Sequence, residues 1–415
     1  MSSHVDPSRT LAVVPPRGRG RLVSAGRAAV TRLAVAAALV LALFAAEASA
    51  QLCPGTTVVS DLRRPIGLAL SNQGNVLVSE TGTPTPNSGR LSIVSPGGAR
   101  RTLLDGLPSG IGDVGDPSGP SGVIIRGRTA YLLIGIGDSA LAAPVPGRQL
   151  PNPNPSSPIF SSVLAIHFSA AVEKRTAGFT LSQADQEALA AGETVTLSNG
   201  GGDSVTIELV ADFPDHIPNP LPEFPEIVRS SNPFSLVLVA DQLYVTDGGR
   251  NLVWKVDVSS GDFAALAEFP TIPNPLFPGV GGPETEAVPT GIAYDDGQLL
   301  VTLFRGVPFP PGTSVVLRID PATGAQEPFI TGLKTAIDIV PEPPPAKGSY
   351  LVLQHSSGDG PFFPGPGLVL RFPSASASPE TLADCLERPT SMVLDEKTGT
   401  LYVAELLTGR LAAFR

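Results

Sequence analysis

At 415 residues the chain could hold two average domains, yet 44 Gly and 44 Pro against 16% charged and 6% aromatic residues point to many short strands broken by turns. A hydrophobic content of 42% excludes a disordered chain, and long helices are not expected. A net charge of −10 with no basic patch excludes nucleic acid and anionic membrane surfaces as partners, because both demand a Lys/Arg face.

The first fifty residues differ from the rest. Arg17, Arg19, Arg21, Arg27 and Arg32 precede an apolar run from Leu33 to Ala46, followed by Ala48-Ser49-Ala50. This predicts a secretory signal peptide over 1–50, cleaved before Gln51. The apolar run falls short of the roughly 20 residues that a membrane span needs. No span is therefore expected after cleavage, and the mature chain is placed outside the cytoplasm, secreted or periplasmic. Loss of six Arg, Asp6 and Glu47 takes the net charge from −10 to −14. Export puts the only two cysteines, Cys53 and Cys385, where disulfides persist, and a bond between them is predicted.

From Gln51 onward one unit recurs: an apolar strand, a turn, a second strand ending in a polar residue, then two more strands. Units start at Pro65-Ile-Gly67, Pro120-Ser-Gly122, Pro233-Phe-Ser235, Pro289-Thr-Gly291 and Pro389-Thr-Ser391, with a degenerate start at Ala336-Ile-Asp338. Four strands per period of about 50 residues is the mark of a propeller blade. The interval of 113 residues after Pro120 could hide a seventh unit. Against that, Phe213-Pro214 with Ile217-Pro218-Asn219-Pro220-Leu221 recurs as Phe269-Pro270 with Ile272-Pro273-Asn274-Pro275-Leu276, so the second unit ends normally. The excess is read as insertions over about 139–158 and 171–203. In the latter, Ser182 and Asp185 resemble a capping box, Ala184 to Ala191 favours helix, and Thr194–Leu197 with Val205–Val210 reads as a hairpin around Asn199-Gly200-Gly201-Gly202.

The last unit has only three strands, Ser391–Leu394, Leu401–Ala404 and Arg410–Arg415, while Thr56–Leu62 is a spare strand before the first unit. The expected fold is an all-β, six-bladed propeller over 51–415, with the N-terminal strand closing the last blade and an insertion in blade 2. The Cys53–Cys385 bond would then staple blades five and six at the seam.

Motifs for catalysis are scarce. Gly135-Ile-Gly137-Asp138-Ser139-Ala140 resembles a dinucleotide fingerprint, but Pro144 and Pro146 block the helix it requires. Of the histidines beyond the leader, His167 lies inside a third strand, His216 in a Pro-rich link, and His355 at the end of a second strand. Reading that strand end across the repeat gives Glu80, Asp138, Asp247, Arg305, His355 and Glu405, with Asn232, Asn251 and Asp338 as further members of a polar ring at one end of the channel. Such a ring is either a ligand-binding site or the solvated rim of an acidic protein. Its oxygen donors Glu80, Asp138, Asp247 and Glu405 would suit calcium.

Ser231-Asn232-Pro233-Phe234, Leu243-Tyr244-Val245-Thr246-Asp247-Gly248-Gly249-Arg250-Asn251, Val288-Pro289-Thr290-Gly291, Val307-Pro308-Phe309-Pro310-Pro311-Gly312 and Thr335–Asp338 resemble, in order and spacing, the ScyD/ScyE family of secreted NHL-type propellers. The chain departs from it in the enlarged second blade and in Gln298-Leu299-Leu300. The resemblance implies an exported six-bladed propeller from a family associated in part with scytonemin biosynthesis, and it supplies no catalytic residues. The first expectation is a binding or scaffold protein for an unassigned protein, glycan or small molecule. The alternative is a calcium-dependent lactonase or esterase with its metal in the channel, and a third reading is a quinone-dependent oxidoreductase built around Arg305 and His355.

Overall fold

The structure, a computed structural model, describes Cys53 and residues 55–415; the expected leader lies outside them. Six sheets each contain a four-stranded meander. Their innermost strands are Pro65–Leu70, Pro120–Arg126, Pro233–Val239, Pro289–Asp295, Ala336–Pro341 and Pro389–Asp395, at the six starts that the repeat predicts. Each packs against the next and the sixth packs against the first, so the fold is a closed six-bladed β-propeller.

Local chemistry explains the recurring start. In every blade the pairing of innermost and second strands shifts register directly after the first residue, a bulge that Pro suits because it has no N–H to leave unpaired. Two residues on, glycine lets neighbouring strands approach. A Cβ at Gly67 would lie 2.4 Å from the Ser121 carbonyl oxygen, and one at Gly122 2.7 Å from that of Phe234. The strands end in tight turns such as Asp296-Gly297, whose φ angles of 45° and 83° suit the two-residue hairpin joining Asp295 to Gln298.

Apolar side chains fill the six gaps between blades, each gap holding its own buried cluster. Between blades 2 and 3, Phe213 stacks on Trp254 at 5.2 Å. The seam is filled in the same way: Val58 and Val59 pack with Leu62, Leu68, Val78 and Leu411. Thr56–Val59 is the outer strand of blade 6, antiparallel to Arg410–Phe414 with Thr56 opposite Ala413. Cys53 precedes it and is bonded to Cys385 in Glu380–Leu386, the outer strand of blade 5, with Cα atoms 5.6 Å apart.

Blade 2 carries the long insertion between its third strand, Ser162–Phe168, and its outer strand, Ser204–Asp212. The expected helix is Gln183–Ala190, with the Ser182/Asp185 capping box formed, and the expected hairpin pairs Val195–Ser198 with Ser204–Asp212. A shorter helix, Ala170–Arg175, and the strand Phe179–Thr180 were not anticipated. Phe179–Thr180 runs parallel to Arg100–Leu107 and becomes a fifth strand of blade 1, so the insertion covers the open edges of two blades. The other added segment forms the hairpin Ala140–Ala142 with Gln149–Pro151 and joins Val228–Ser230 and His216–Pro218 in a separate small sheet.

Candidate functional site

In a meander blade the connections from second to third strand, and from outer strand to the next blade, emerge at one end of the ring. This loop face carries every residue of the expected polar ring except Asp338. Six equivalent hydrogen bonds fix its inner edge: the N–H that follows each second strand donates to the carbonyl just before the innermost strand. The pairs are Thr81 to Arg64, Gly135 to Gly119, Gly248 to Asn232, Phe304 to Val288, His355 to Thr335 and Leu406 to Arg388, at 2.8–3.1 Å.

These bonds correct the register of the ring. The residue opposite the first residue of each innermost strand is Glu80, Ile134, Asp247, Leu303, Gln354 or Glu405. Asp138, Arg305 and His355 are therefore not equivalents of Glu80; they lie four, two and one residues beyond the strand end, in loops of different length.

The three true strand-end acids are enclosed within their own blades. Glu80 is fully buried, accepts from Arg90 Nε at 2.8 Å and Nη2 at 2.6 Å and from Ser92 Oγ at 2.5 Å, and takes the Arg63 N–H as well. Asp247 is fully buried and accepts from the N–H groups of Asn232 and Arg250 and from Trp254 Nε1, at 2.7, 3.0 and 3.0 Å. Burial pushes its carboxyl pKa up, and these bonds oppose the shift. Glu405, also fully buried, is paired with Arg410 and accepts from Thr408 Oγ1. Asp138 anchors the inserted loop by accepting from the Ser156 N–H and Oγ at 2.9 and 3.0 Å.

Calcium fits these four poorly, because guanidinium groups and N–H donors occupy the oxygens a cation would need. Among the described residues no three or more His, Cys, Asp and Glu side chains gather as a metal centre. Asn232 is likewise engaged, its Oδ1 accepting from the Ile136 N–H at 3.3 Å. Asn251 Oδ1 accepts from the Val288 N–H at 3.0 Å, and its amide donates to Glu286.

His355 belongs to a second repeated pattern that sequence reasoning missed. At each of the six blade junctions a side chain bonds to a carbonyl at the start of the next blade's innermost strand. Ser79 and Thr246 donate from second strands to the carbonyls of Ser121 and Thr290, while Ser121, Thr290 and Thr390 donate from innermost strands to those of Pro233, Ala336 and Pro65. At the remaining junction, between blades 5 and 6, His355 Nδ1 meets the Pro389 carbonyl at 2.9 Å, so the proton sits on Nδ1. Burial lowers its pKa to about 4, keeping the ring neutral against Phe304 and Phe363 at centroid distances of 5.6 and 5.1 Å. The alternation has a trace in the chain: the second residue of each unit is Ile66, Ser121, Phe234, Thr290, Ile337 and Thr390 in turn.

The central cavity, about 260 Å³, is walled mainly by backbone and apolar side chains such as Leu68, Val123, Leu236, Ile292 and Met392. Its one carboxylate is Asp338, which stands where other blades have Gly or Ser and accepts from the Met392 N–H at 2.8 Å and Ser391 Oγ at 3.1 Å. Arg305 turns away from this cavity and lines a cleft on the flank of blade 4.

Two features of the loop face distinguish it. Arg64, Val288, Thr335 and Arg388, each just before an innermost strand, have positive φ of 57°, 50°, 44° and 55°. For β-branched Val288 and Thr335 this costs on the order of 1–3 kcal/mol each. In addition, of the nine large apolar side chains exposed among the described residues, Ile111, Val114, Leu141, Phe277, Val307, Phe362 and Leu407 all lie in the connections at this face, Ile111 and Leu141 in short strands and the others in loops. The signal for them was present as apolar residues inside Pro- and Gly-rich loops, where no strand core could absorb them.

No protein-family model matches the chain, and no curated protein matches its sequence. Among solved structures, a gluconolactonase from Xanthomonas campestris aligns at 12% identity over 89% of this chain and 92% of that one, with a TM-score of 0.46. An aldose sugar dehydrogenase from Streptomyces coelicolor, in its PQQ-bound form, aligns at 14% identity over 86% and 96%, with a TM-score of 0.45. A streptogramin B lyase aligns at 13% identity over 85% and 93%, with a TM-score of 0.42. At these scores the neighbours assign this chain no substrate and no reaction.

Proposed function

We propose that the chain is an exported propeller of the ScyD/ScyE kind that acts by binding, and that it engages a protein, glycan or small molecule through the loop face around the channel mouth. The observation that carries this is the concentration of Ile111, Val114, Leu141, Phe277, Val307, Phe362 and Leu407 on that one face, where apolar surface is available to a partner. The strained residues before the innermost strands support it, since backbone strain tends to persist where function requires it. The segments resembling the ScyD/ScyE family, including Ser231–Phe234 and Val307–Gly312, border the same mouth. The disulfide suits an oxidising compartment, and no described helix is long and apolar enough to cross a membrane. The lactonase or esterase alternative would need donors other than Glu80, Asp138, Asp247 and Glu405.

A photo-crosslinking residue at Val307 or Phe362, with Tyr294 at the opposite end of the ring as control, tests the face in the protein's native compartment. Discrete adducts from the first two positions and none from Tyr294 are expected; no adducts, or equal adducts from all three, overturn the reading. Purified protein is expected to leave esters and lactones intact with calcium or with chelator, and turnover at enzymic rates would replace binding by hydrolysis.

A further inference from the structure

Arg305 follows the second strand of blade 4, Gln298–Leu303, at φ 76°. It is only 7% exposed. Its Nε donates to the Thr313 carbonyl at 2.9 Å, and among the described residues no carboxylate pairs with it and neither Nη group has a protein partner. A buried guanidinium is normally held by an acid, because removing the charge from water is costly unless a counter-charge repays it. Here desolvation alone acts on the group and draws its pKa down, with no neighbouring carboxylate to restore it.

Arg305 lines a cleft of about 270 Å³ between blades 3 and 4, whose other walls include Phe269, Pro270, Ile272, Leu317 and Pro328. That volume is just below the usual range for ligand sites, about 300–1,000 Å³. The one acid in its wall, Glu327, is committed to Arg318, whose Nε donates to it at 2.8 Å. The cleft thus combines apolar walls with one unpaired, planar, two-pronged donor, the shape that accepts a carboxylate through parallel N–H···O bonds.

We propose that this cleft, on the flank of blade 4 where it meets the loop face and away from the channel mouth, is a second binding site for a small carboxylate carrying an apolar body, with the carboxylate on the Nη groups of Arg305. The ligand supplies the missing counter-charge and its apolar part covers Ile272 and Leu317.

Octanoate and its neutral counterpart octanol are the probes, titrated calorimetrically into the full mature chain at neutral pH. Octanoate is expected to bind at least tenfold tighter than octanol, and Arg305→Met to abolish that preference while leaving octanol binding unchanged. Equal affinity for the two probes, no octanoate binding, or undiminished octanoate binding by Arg305→Met overturns the proposal. If that variant does not fold, the wild-type chain decides. Modification of Arg305 by 4-hydroxyphenylglyoxal, followed by peptide mapping, is expected to slow severalfold with octanoate and not with octanol; an unchanged rate overturns the assignment.

Discussion

Replacing Asp338 by Asn isolates the one carboxylate of the central cavity. Burial between the innermost strands of blades 5 and 6 raises its pKa from 3.8 to about 6, while bonds from Met392, Ile339 and Ser391 oppose the rise. Because the folded pKa is the higher one, the native state binds more protons than the unfolded chain between these values. The contribution of Asp338 to stability is therefore complete below about pH 4 and is lost as pH rises through about 6. A shift of about two units corresponds to about 3 kcal/mol, an upper bound here because the residue is partly exposed to the cavity. Asn cannot ionise but can keep the acceptor for Met392. The stability of Asp338→Asn relative to wild type should accordingly climb by up to about 3 kcal/mol from about pH 4 to about pH 7.5. Guanidinium unfolding of both proteins at several pH values across that window measures it, and titrations common to both cancel. A difference that stays flat with pH would refute the argument.

Glu80→Gln leaves Arg90 buried without its counter-charge and should cost about 3–5 kcal/mol in denaturant unfolding, with calcium making no difference to either protein; a calcium-dependent gap between them would return Glu80 to the metal ligands. His355 behaves oppositely to Asp338: its pKa is lowered to about 4, so its contribution is present above about pH 6.5 and is lost as pH falls towards 4. His355→Gln, which keeps an amide donor for the Pro389 carbonyl, should flatten the acid limb of the stability profile, and an unaltered limb counts against the buried neutral ring. Cys385→Ser opens a loop spanning 332 residues and should cost up to about 6 kcal/mol in the chain-entropy model. A midpoint unchanged by the substitution, or by reductant on the wild type, would show that the seam is held without the bond.

The blade count, the closing strand, the disulfide and the insertion were legible because each rests on local chemistry that repeats. Proline suits the bulge at each innermost strand, Gly67 and Gly122 permit close approach, and Ser182 caps its helix. Ring membership was harder to read, because side chains were matched by their polarity at an apparent strand end while the loops beyond differ in length. Asp138 and Arg305 were thus aligned with Glu80, although Ile134 and Leu303 hold the equivalent places. The fate of the acids was hidden for a different reason. Arg90 and Arg410 sit ten and five residues downstream of Glu80 and Glu405, and only the pairing of second with third strands brings each guanidinium opposite its carboxylate. The junction hydrogen bonds join residues up to 325 positions apart and leave only an alternation of apolar and hydroxyl residues after each Pro or Ala.

The seam also bears on how the molecule is made. Synthesis proceeds from the N-terminus, so Thr56–Val59 is among the first strands of the ring to emerge, while its partner, Arg410–Phe414, is the last. During elongation the first-made strand has no mate, and Leu68 and Val78 of blade 1 lack the face of Tyr402 and Leu411 that later covers them. The incomplete ring is an open arc with two unsatisfied ends, the kind of species that joins with its own copies before it can join with itself. Holding that arc apart from other arcs until residue 414 appears is then a requirement of the topology, and the Cys53–Cys385 bond, whose second sulfur is made late, is available only to chains that have nearly finished.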